Sequence, residues 1–556
     1  MGVSDEYRPD SRLPRWPEPR AIGQPGRGRR ILDGTLTLAG QRLTGDPFAC
    51  PDLPLDCLIE LHGFGWLDDL AAVADGAARD LARRRVMGWI AAHPDPVPRT
   101  VQWLPEVAAS RLLRWLFHAG LILPGSGDDD RQALLASMHR HLGWISDGWS
   151  TSPDGLARIL SLSALFIGAA HLQGGELARL ALLTLAEESE AMGLDVLTAP
   201  RSPEGALEAL SCLTWAAETA TVAGLDLPPA LQKVRGDLAG LLRGLRHADG
   251  GLPQFHGSGR GDPGRLDHAL ASAPGPAATP LGQPLGYARM ARGRTTLVLD
   301  AAPPPAIAAD RAHASALGIE LVVARQPLVV GTGSGARIGP PWAEASRRTH
   351  CHSTLSLAGL SSSHFRPGAK WPEPLAPDLL DGGARNVWAG DYDDAGDLIS
   401  TDCGRAHSPD PAHLLAAHDG WQQSHGLTHL RELWLSPGGH MLRGEDSLAA
   451  LDPAARARLA GLIGEEGWAE GIGFDIRFHL HPQVAPQMQG DGLRLALPGG
   501  DWLFSHDGTG GMRLEPSAWL DPAQGVAVPS RQIVLSGLLT DHAVQIGWTF
   551  ARAEGS

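Results

Sequence analysis

The sequence predicts a helical N-terminal domain followed by an antiparallel β-sandwich, and three observations carry that reading. Up to about residue 280, apolar residues recur at helical spacing in long segments. Beyond that point the apolar segments shorten and become β-branched or alternating. The connections throughout are short and rich in Gly, Pro and Asp, the composition of tight turns. The predicted organisation is an N-terminal extension over 1–34, a helical domain over 35–280 and a β-sandwich domain over 281–556.

Helices are expected over Pro105–Ala119, Asp130–Ile145, Gly155–Leu172, Glu176–Met192, Pro203–Val222 and Pro228–Leu245. In the third, Leu156, Ile159, Leu160, Leu162, Ala164, Leu165 and Ile167 cover more than half of the helix circumference, so neighbours must cover it on most sides. Connections such as Pro124-Gly-Ser-Gly-Asp128 and Gly224-Leu-Asp-Leu-Pro228 imply antiparallel hairpins. Such helices in a row read as an all-α bundle or an α/α toroid.

The second half supplies strands at Thr295–Leu299, Ile319–Val323, Ser353–Leu357, Phe474–Leu480, Leu493–Leu497, Gln532–Leu535 and Val544–Trp548. Pro437-Gly-Gly, Gln489-Gly-Asp-Gly and Pro498-Gly-Gly-Asp separate them. Many short strands at near-even spacing argue for an antiparallel sandwich.

Composition narrows the function classes. The formal charge is −15, with 62 acidic against 47 basic residues, which argues against bulk attraction to nucleic acid or acidic membranes. Lys233 and Lys370 are the only lysines, so the basic residues are almost all arginines. Cys50, Cys57, Cys212, Cys351 and Cys403 are odd in number and lack any CxxC, so reduced thiols are expected. Residues 1–34 hold no apolar stretch of the signal-peptide kind and no transmembrane run is seen, so a cytoplasmic location is expected. Phosphate-loop, HExxH and Gly-x-Ser-x-Gly patterns are missing, which weakens nucleotide and serine-hydrolase readings.

Histidine is where chemistry suggests itself. Arg311-Ala-His313-Ala-Ser315 and Arg347-Arg-Thr-His-Cys-His352-Ser-Thr354 each read as opening a strand, and His313 and His352 could then meet as metal ligands. On such a strand Cys351 would face away from His350 and His352. The plain alternative is that each histidine packs at a strand end with its N–H satisfied. His418-Asp-Gly-Trp421 has the chemistry of a hairpin turn. In Arg477-Phe-His-Leu-His-Pro482, Arg477, His479 and His481 share one face and Phe478 and Leu480 the other, the pattern of a half-buried strand.

Taken as a series, these segments resemble the heparinase II/III family of polysaccharide lyases. The matching residues are Gly286-Tyr-Ala-Arg289, Gly293-Arg-Thr-Thr-Leu-Val-Leu-Asp-Ala-Ala-Pro-Pro-Pro305, Ala312-His-Ala-Ser-Ala-Leu-Gly-Ile-Glu-Leu321, Arg348-Thr-His-Cys-His-Ser-Thr-Leu355, His418-Asp-Gly-Trp421 and Arg477-Phe-His-Leu-His-Pro482. Leu245-Arg-His-Ala-Asp-Gly250 and Phe255-His-Gly-Ser258 resemble the end of the family's helical domain. The order holds from about Arg30 to Arg552. The resemblance implies an α/α toroid joined to the sandwich and β-elimination on a uronate-containing acidic polysaccharide. In that reaction a cation or amide neutralises the uronate carboxylate, a Tyr or His removes the alpha proton, and an acid protonates the leaving oxygen.

It further implies a zinc or calcium ion on His313 and His352, but the family's Asp ligand would fall near Gly331, which makes the metal doubtful. Arg311 stands where the family has a catalytic His, and Asp154-Gly155-Leu156 where it has an Asn-His pair. Of Tyr7, Tyr287 and Tyr392, none lies in the toroid. The candidate catalytic residues are Arg311, Tyr287, His350 and Arg348. The candidate substrate-binding residues are His256, Arg289, Arg347 and Trp149. Two other readings stand beside the lyase: a non-catalytic descendant binding glycan or protein, and a two-carboxylate hydrolase using Asp147 and Asp154 near Trp149.

Overall fold

The computed structural model describes residues 16–18, 20, 23–275, 284–306, 311–357, 359–366, 379–381, 387–392, 398–400, 412–463 and 470–553. The expected boundary near residue 280 lies outside them. The chain divides into two compact units. The first comprises Met1–Thr198, Gly205–Ala239 and Asp262–Pro276, and the second Ala199–Glu204, Gly240–Gly261 and Ala277–Ser556. Two short pieces of the helical half, 199–204 and 240–261, therefore belong with the sandwich.

The helical unit is built from antiparallel hairpins of the α/α toroid kind. Its long helices are Pro105–Phe117, Asp128–Gly148, Leu156–Leu172, Gly175–Thr198, Pro203–Ala223 and Pro229–Leu245, close to the periodicity in the sequence. Pro105–Phe117 packs against both Asp128–Gly148 and Leu156–Leu172. Leu156–Leu172 is covered as its apolar circumference requires: from Ile159 to Ala169, all but Leu160 are buried. Gly168 makes this approach possible, since a Cβ there would lie 3.1 Å from both Leu112 and Leu142. Gly193, at φ 61° and ψ 179°, breaks the Gly175–Thr198 helix, which is why the helical pattern in the sequence stops at Met192. Asp75 and Asp262 cap their helices through side-chain bonds to Ala78 N–H and Arg265 N–H.

The second unit packs two antiparallel sheets. In the first, Tyr287–Arg292, Thr295–Asp300, Ile319–Val323 and Gln326–Val330 are consecutive neighbours. Gln326–Val330 then pairs with Ile472–Leu480, which pairs with Val526–Leu539, and Gly511–Asp521 forms the edge. The second sheet runs, in spatial order, Leu398–Ser400, Val387–Tyr392, Ala412–Trp421, Leu427–Leu435, Met441–Ala449, Ala543–Arg552, Trp502–His506, Gly492–Ala496 and Ala485–Gln489. Alternating residues of both sheets, among them Leu297, Leu321, Leu414, Leu433, Phe478, Trp548 and Phe550, form one core.

Three local expectations are corrected. Residues 312–318 form a loop before Ile319–Val323, and Thr349–Cys351 is a turn of 3-10 helix rather than strand. Backbone there bonds across to other segments, Ala314 N–H to Arg347 O and Thr332 N–H to Cys351 O, so a ladder is not formed. The alternation expected at His350, Cys351 and His352 is replaced by a helical turn that exposes His350 and buries His352. Asp419-Gly420 is not the hairpin turn: the strand continues to Trp421 through a bulge, and Gln422–His425 makes the connection.

Candidate functional site

In the second unit, the loop 311–318, the turn 349–352 and the segment 240–261 bring histidines into one buried cluster. His256, His313 and His352 are 2%, 1% and 0% exposed. The His313 ring centroid is 6.0 Å from that of His256 and 5.1 Å from that of His352. Main-chain donors fix two of the rings: His313 N–H donates to His256 Nδ1 at 3.1 Å, and Gly257 N–H donates to His313 Nε2 at 3.2 Å. Burial pushes all three imidazoles below their ordinary range, His352 to about 3.

Asp300, at the end of Thr295–Asp300, anchors the other side. Its carboxylate takes Arg201, accepts the Ser315 hydroxyl at 2.6 Å and faces His256 Nε2 at 3.3 Å. Burial alone would raise this carboxyl, but Arg201 and then His256 outweigh it and hold it below the usual carboxylate range. Arg201 also donates to the carbonyls of Leu285, Gly286, Ala302 and Pro303. A second buried carboxylate, Glu320, accepts Gln254 N–H at 2.8 Å and faces His247 Nε2 at 3.3 Å.

The residues singled out in the sequence divide accordingly. Tyr287, His256, His313 and His352 are gathered in the cluster. Tyr287 is fully buried and donates its hydroxyl to the Arg201 carbonyl at 2.6 Å. Burial raises that hydroxyl well above its ordinary value, against the pull of Arg201, whose guanidinium carbon sits 4.9 Å from the ring centroid. Arg347 is buried and spends its Nε on the Ala312 carbonyl at 2.8 Å. Arg311, Arg348 and His350 are exposed. Arg348 pairs with Glu344 at 2.6 Å, and the His350 carbonyl accepts from His479 Nε2 at 3.0 Å. Arg289 donates to the Arg246 carbonyl at 3.0 Å. Trp149 lies in the helical unit, half-buried in the 3-10 turn Trp149–Thr151. Of the two carboxylates weighed for a hydrolase, Asp147 is exposed and Asp154 pairs with Arg158 at 2.5 Å.

Gly331 adjoins the cluster: a Cβ there would stand 3.3 Å from His352 Nδ1. Sequence reasoning missed Arg201, Asp300, Ser315 and Glu320. Asp300 and Glu320 carried a signal, an acid within an otherwise apolar strand, whereas Arg201 carried none.

A separate buried relay occupies the other sheet. His418 Nδ1 accepts Gly420 N–H at 3.1 Å, His418 Nε2 faces His429 Nδ1 at 3.2 Å, and His429 Nε2 reaches Asp446 Oδ1 at 2.7 Å. Arg431 and the Trp548 indole complete the carboxylate's partners. Every side chain of the relay is 0–1% exposed.

Against this geometry, four similarities stand. A family model described as heparinase II/III-like, C-terminal, matches residues 274–549. FtsZ-localized protein C of Caulobacter vibrioides is 32% identical over 570 residues, covering 99% of this chain and 91% of that protein. Among solved structures, a heparinase III superposes with a TM-score of 0.66 at 13% identity, covering 100% of this chain and 88% of the other. The heparan sulfate lyase of Pedobacter heparinus gives 0.54 at 13%, covering 95% and 83%. At such identities the structural likeness concerns the fold. Among the described residues no helix is long and apolar enough to cross a membrane.

Proposed function

Starting from the premise that this chain belongs to the heparinase II/III-like family, we propose that it is a non-catalytic descendant that binds a protein partner at FtsZ assemblies in the cytoplasm. The observation that carries this reading is the Tyr287 hydroxyl. A lyase base must reach the proton alpha to the uronate carboxylate, and this hydroxyl is fully buried and committed to a main-chain carbonyl. Arg311, in the place of the family's histidine, is a permanently protonated guanidinium and a poor base. The partner follows from the near full-length likeness to a protein named for its localisation with FtsZ.

A second reading keeps the lyase. His350 is an exposed imidazole two positions after the exposed Arg348, and Arg311 is exposed as well, so a uronate gripped by arginine beside a histidine base is chemically coherent. Two assays separate the readings. Incubation of the full chain with a panel of acidic polysaccharides should give no rise in the ultraviolet absorbance of an unsaturated uronate. A rise abolished by His350→Ala or Arg311→Ala would establish the lyase instead. Co-sedimentation with GTP-assembled FtsZ should pellet the chain, and failure to pellet would remove FtsZ as the partner.

A further inference from the structure

We infer that the imidazole cluster around His313 is a metal-free clasp, in which reciprocal bonds between ring nitrogens and main-chain N–H groups join the segment 240–261 to the sandwich where relatives would use a cation. A main-chain N–H only donates, so a ring nitrogen facing one must present a lone pair. Gly257 N–H faces His313 Nε2, so the His313 proton resides on Nδ1 and that nitrogen has no lone pair to offer a metal. His313 N–H faces His256 Nδ1, which puts the His256 proton on Nε2, toward Asp300. A carbonyl only accepts, so His479 Nε2, facing His350 O, carries its proton, and His479 Nδ1 accepts from Ser517.

His256, His313 and the neighbouring strand's His479 have therefore committed their lone pairs. His352 alone keeps both nitrogens without a hydrogen-bond partner among the described residues. One imidazole does not make a site: zinc takes three or four protein donors, and calcium six to eight oxygens. The carboxylate that would add a donor is replaced by Gly331, and Asp300 is engaged by Arg201, Ser315 and His256. Among the described residues no three His, Cys, Asp or Glu side chains group to hold a metal ion. A cation reaching His313 would strand the Gly257 N–H, a partly buried donor. The donor set does not fit the family's metal.

The clasp explains why His256 holds a positive φ of 47°, a conformation that side chains seldom take. That turn aims the Gly257 N–H and the His256 ring at His313 together. The exchange is mutual, each histidine accepting from backbone adjoining the other ring.

The inference stands apart from the catalytic reading, because a flat lyase trace leaves it undecided. Histidine-labelled full-length protein, studied by long-range proton–nitrogen correlation, should show His313 as the Nδ1–H tautomer and His256 as the Nε2–H tautomer. Those signals should be unchanged by excess zinc, calcium or EDTA. In parallel, protein loaded with zinc or calcium and desalted should retain well under one equivalent by elemental analysis. An Nε2–H tautomer at His313, or one equivalent of retained metal lost in His352→Ala, would overturn the inference.

Discussion

Arg201 sets its guanidinium on the Asp300 carboxylate while its own carbonyl receives the Tyr287 hydroxyl, so one residue between two helices satisfies two buried polar groups of the sandwich. Arg201 and Asp300 are 7% and 1% exposed. Removing one member of a buried pair leaves the other charge uncompensated, at a cost of about 3–5 kcal/mol. Asp300→Asn should destabilise the chain by that amount near neutral pH, measured by urea unfolding. Because the folded Asp300 carboxyl lies below its ordinary value, the pair's contribution is complete above about pH 4 and is lost as pH falls toward the folded value. The difference between wild type and Asp300→Asn should therefore narrow in acid. A constant difference from neutral pH to pH 2 would mean that the carboxylate's charge is not what stabilises the site.

The same arrangement bears on truncation. A fragment from residue 281 onward keeps Asp300, Tyr287, Glu320 and His313 but lacks Arg201, His247, Gln254, His256 and Gly257, all assigned to the sandwich unit or bonded within it. Several buried polar groups would lose their partners at once, each costing about 1–3 kcal/mol. Such a fragment is expected to be insoluble or to melt without a cooperative transition. A sharp calorimetric transition from it would show that the two segments are dispensable.

Asp446 accepts from His429, Arg431 and the Trp548 indole, and Trp548 packs on Gly444, where a Cβ would overlap the indole. Either Asp446→Leu or Arg431→Met alone should cost about 3–5 kcal/mol, while the double variant should cost clearly less than the sum. Urea titrations followed by tryptophan fluorescence complete the cycle. Additive losses would show that the two groups do not act as a pair.

The helices and central strands were legible because packing rewards a period: Ile159–Ala169, Leu160 apart, and the alternating Phe474, Ile476, Phe478 and Leu480 are buried as their spacing demands. His313 and His352 were legible as neighbours through the family resemblance. Their setting was not, because residues 312–318 and 349–351 are shaped by single hydrogen bonds to distant backbone, and such bonds leave no periodic trace. Arg201 shows the limit most clearly. Its partners Leu285, Gly286, Asp300, Ala302 and Pro303 lie about 84 to 102 positions away, and an arginine between two helices looks like any surface arginine.

Arg111, in the helix Pro105–Phe117, is fully buried, yet the bonds it makes go to neutral groups: His141 Nε2 and the carbonyls of His62 and Gln102. Its guanidinium carbon lies 3.9 Å from the Trp89 ring centroid, 5.3 Å from that of Trp103 and 5.9 Å from that of Trp115, so aromatic faces stand where a carboxylate would. The cage has a consequence for pH. Burial, and then Arg111, hold the adjacent His62 imidazole down at about 3, and His62 Nδ1 accepts the Trp89 indole N–H at 3.0 Å. Unfolded, His62 titrates near 6.5, so between there and pH 3 only the unfolded chain takes up this proton. Its contribution to stability is complete above about pH 6.5 and declines by about 1.4 kcal/mol per pH unit below it. His62→Gln preserves an acceptor for Trp89 and removes the titration. The stability of wild type should fall more steeply than that of the variant between pH 6 and pH 4, in urea unfolding at each pH, and parallel slopes would mean that His62 is not held neutral beside Arg111.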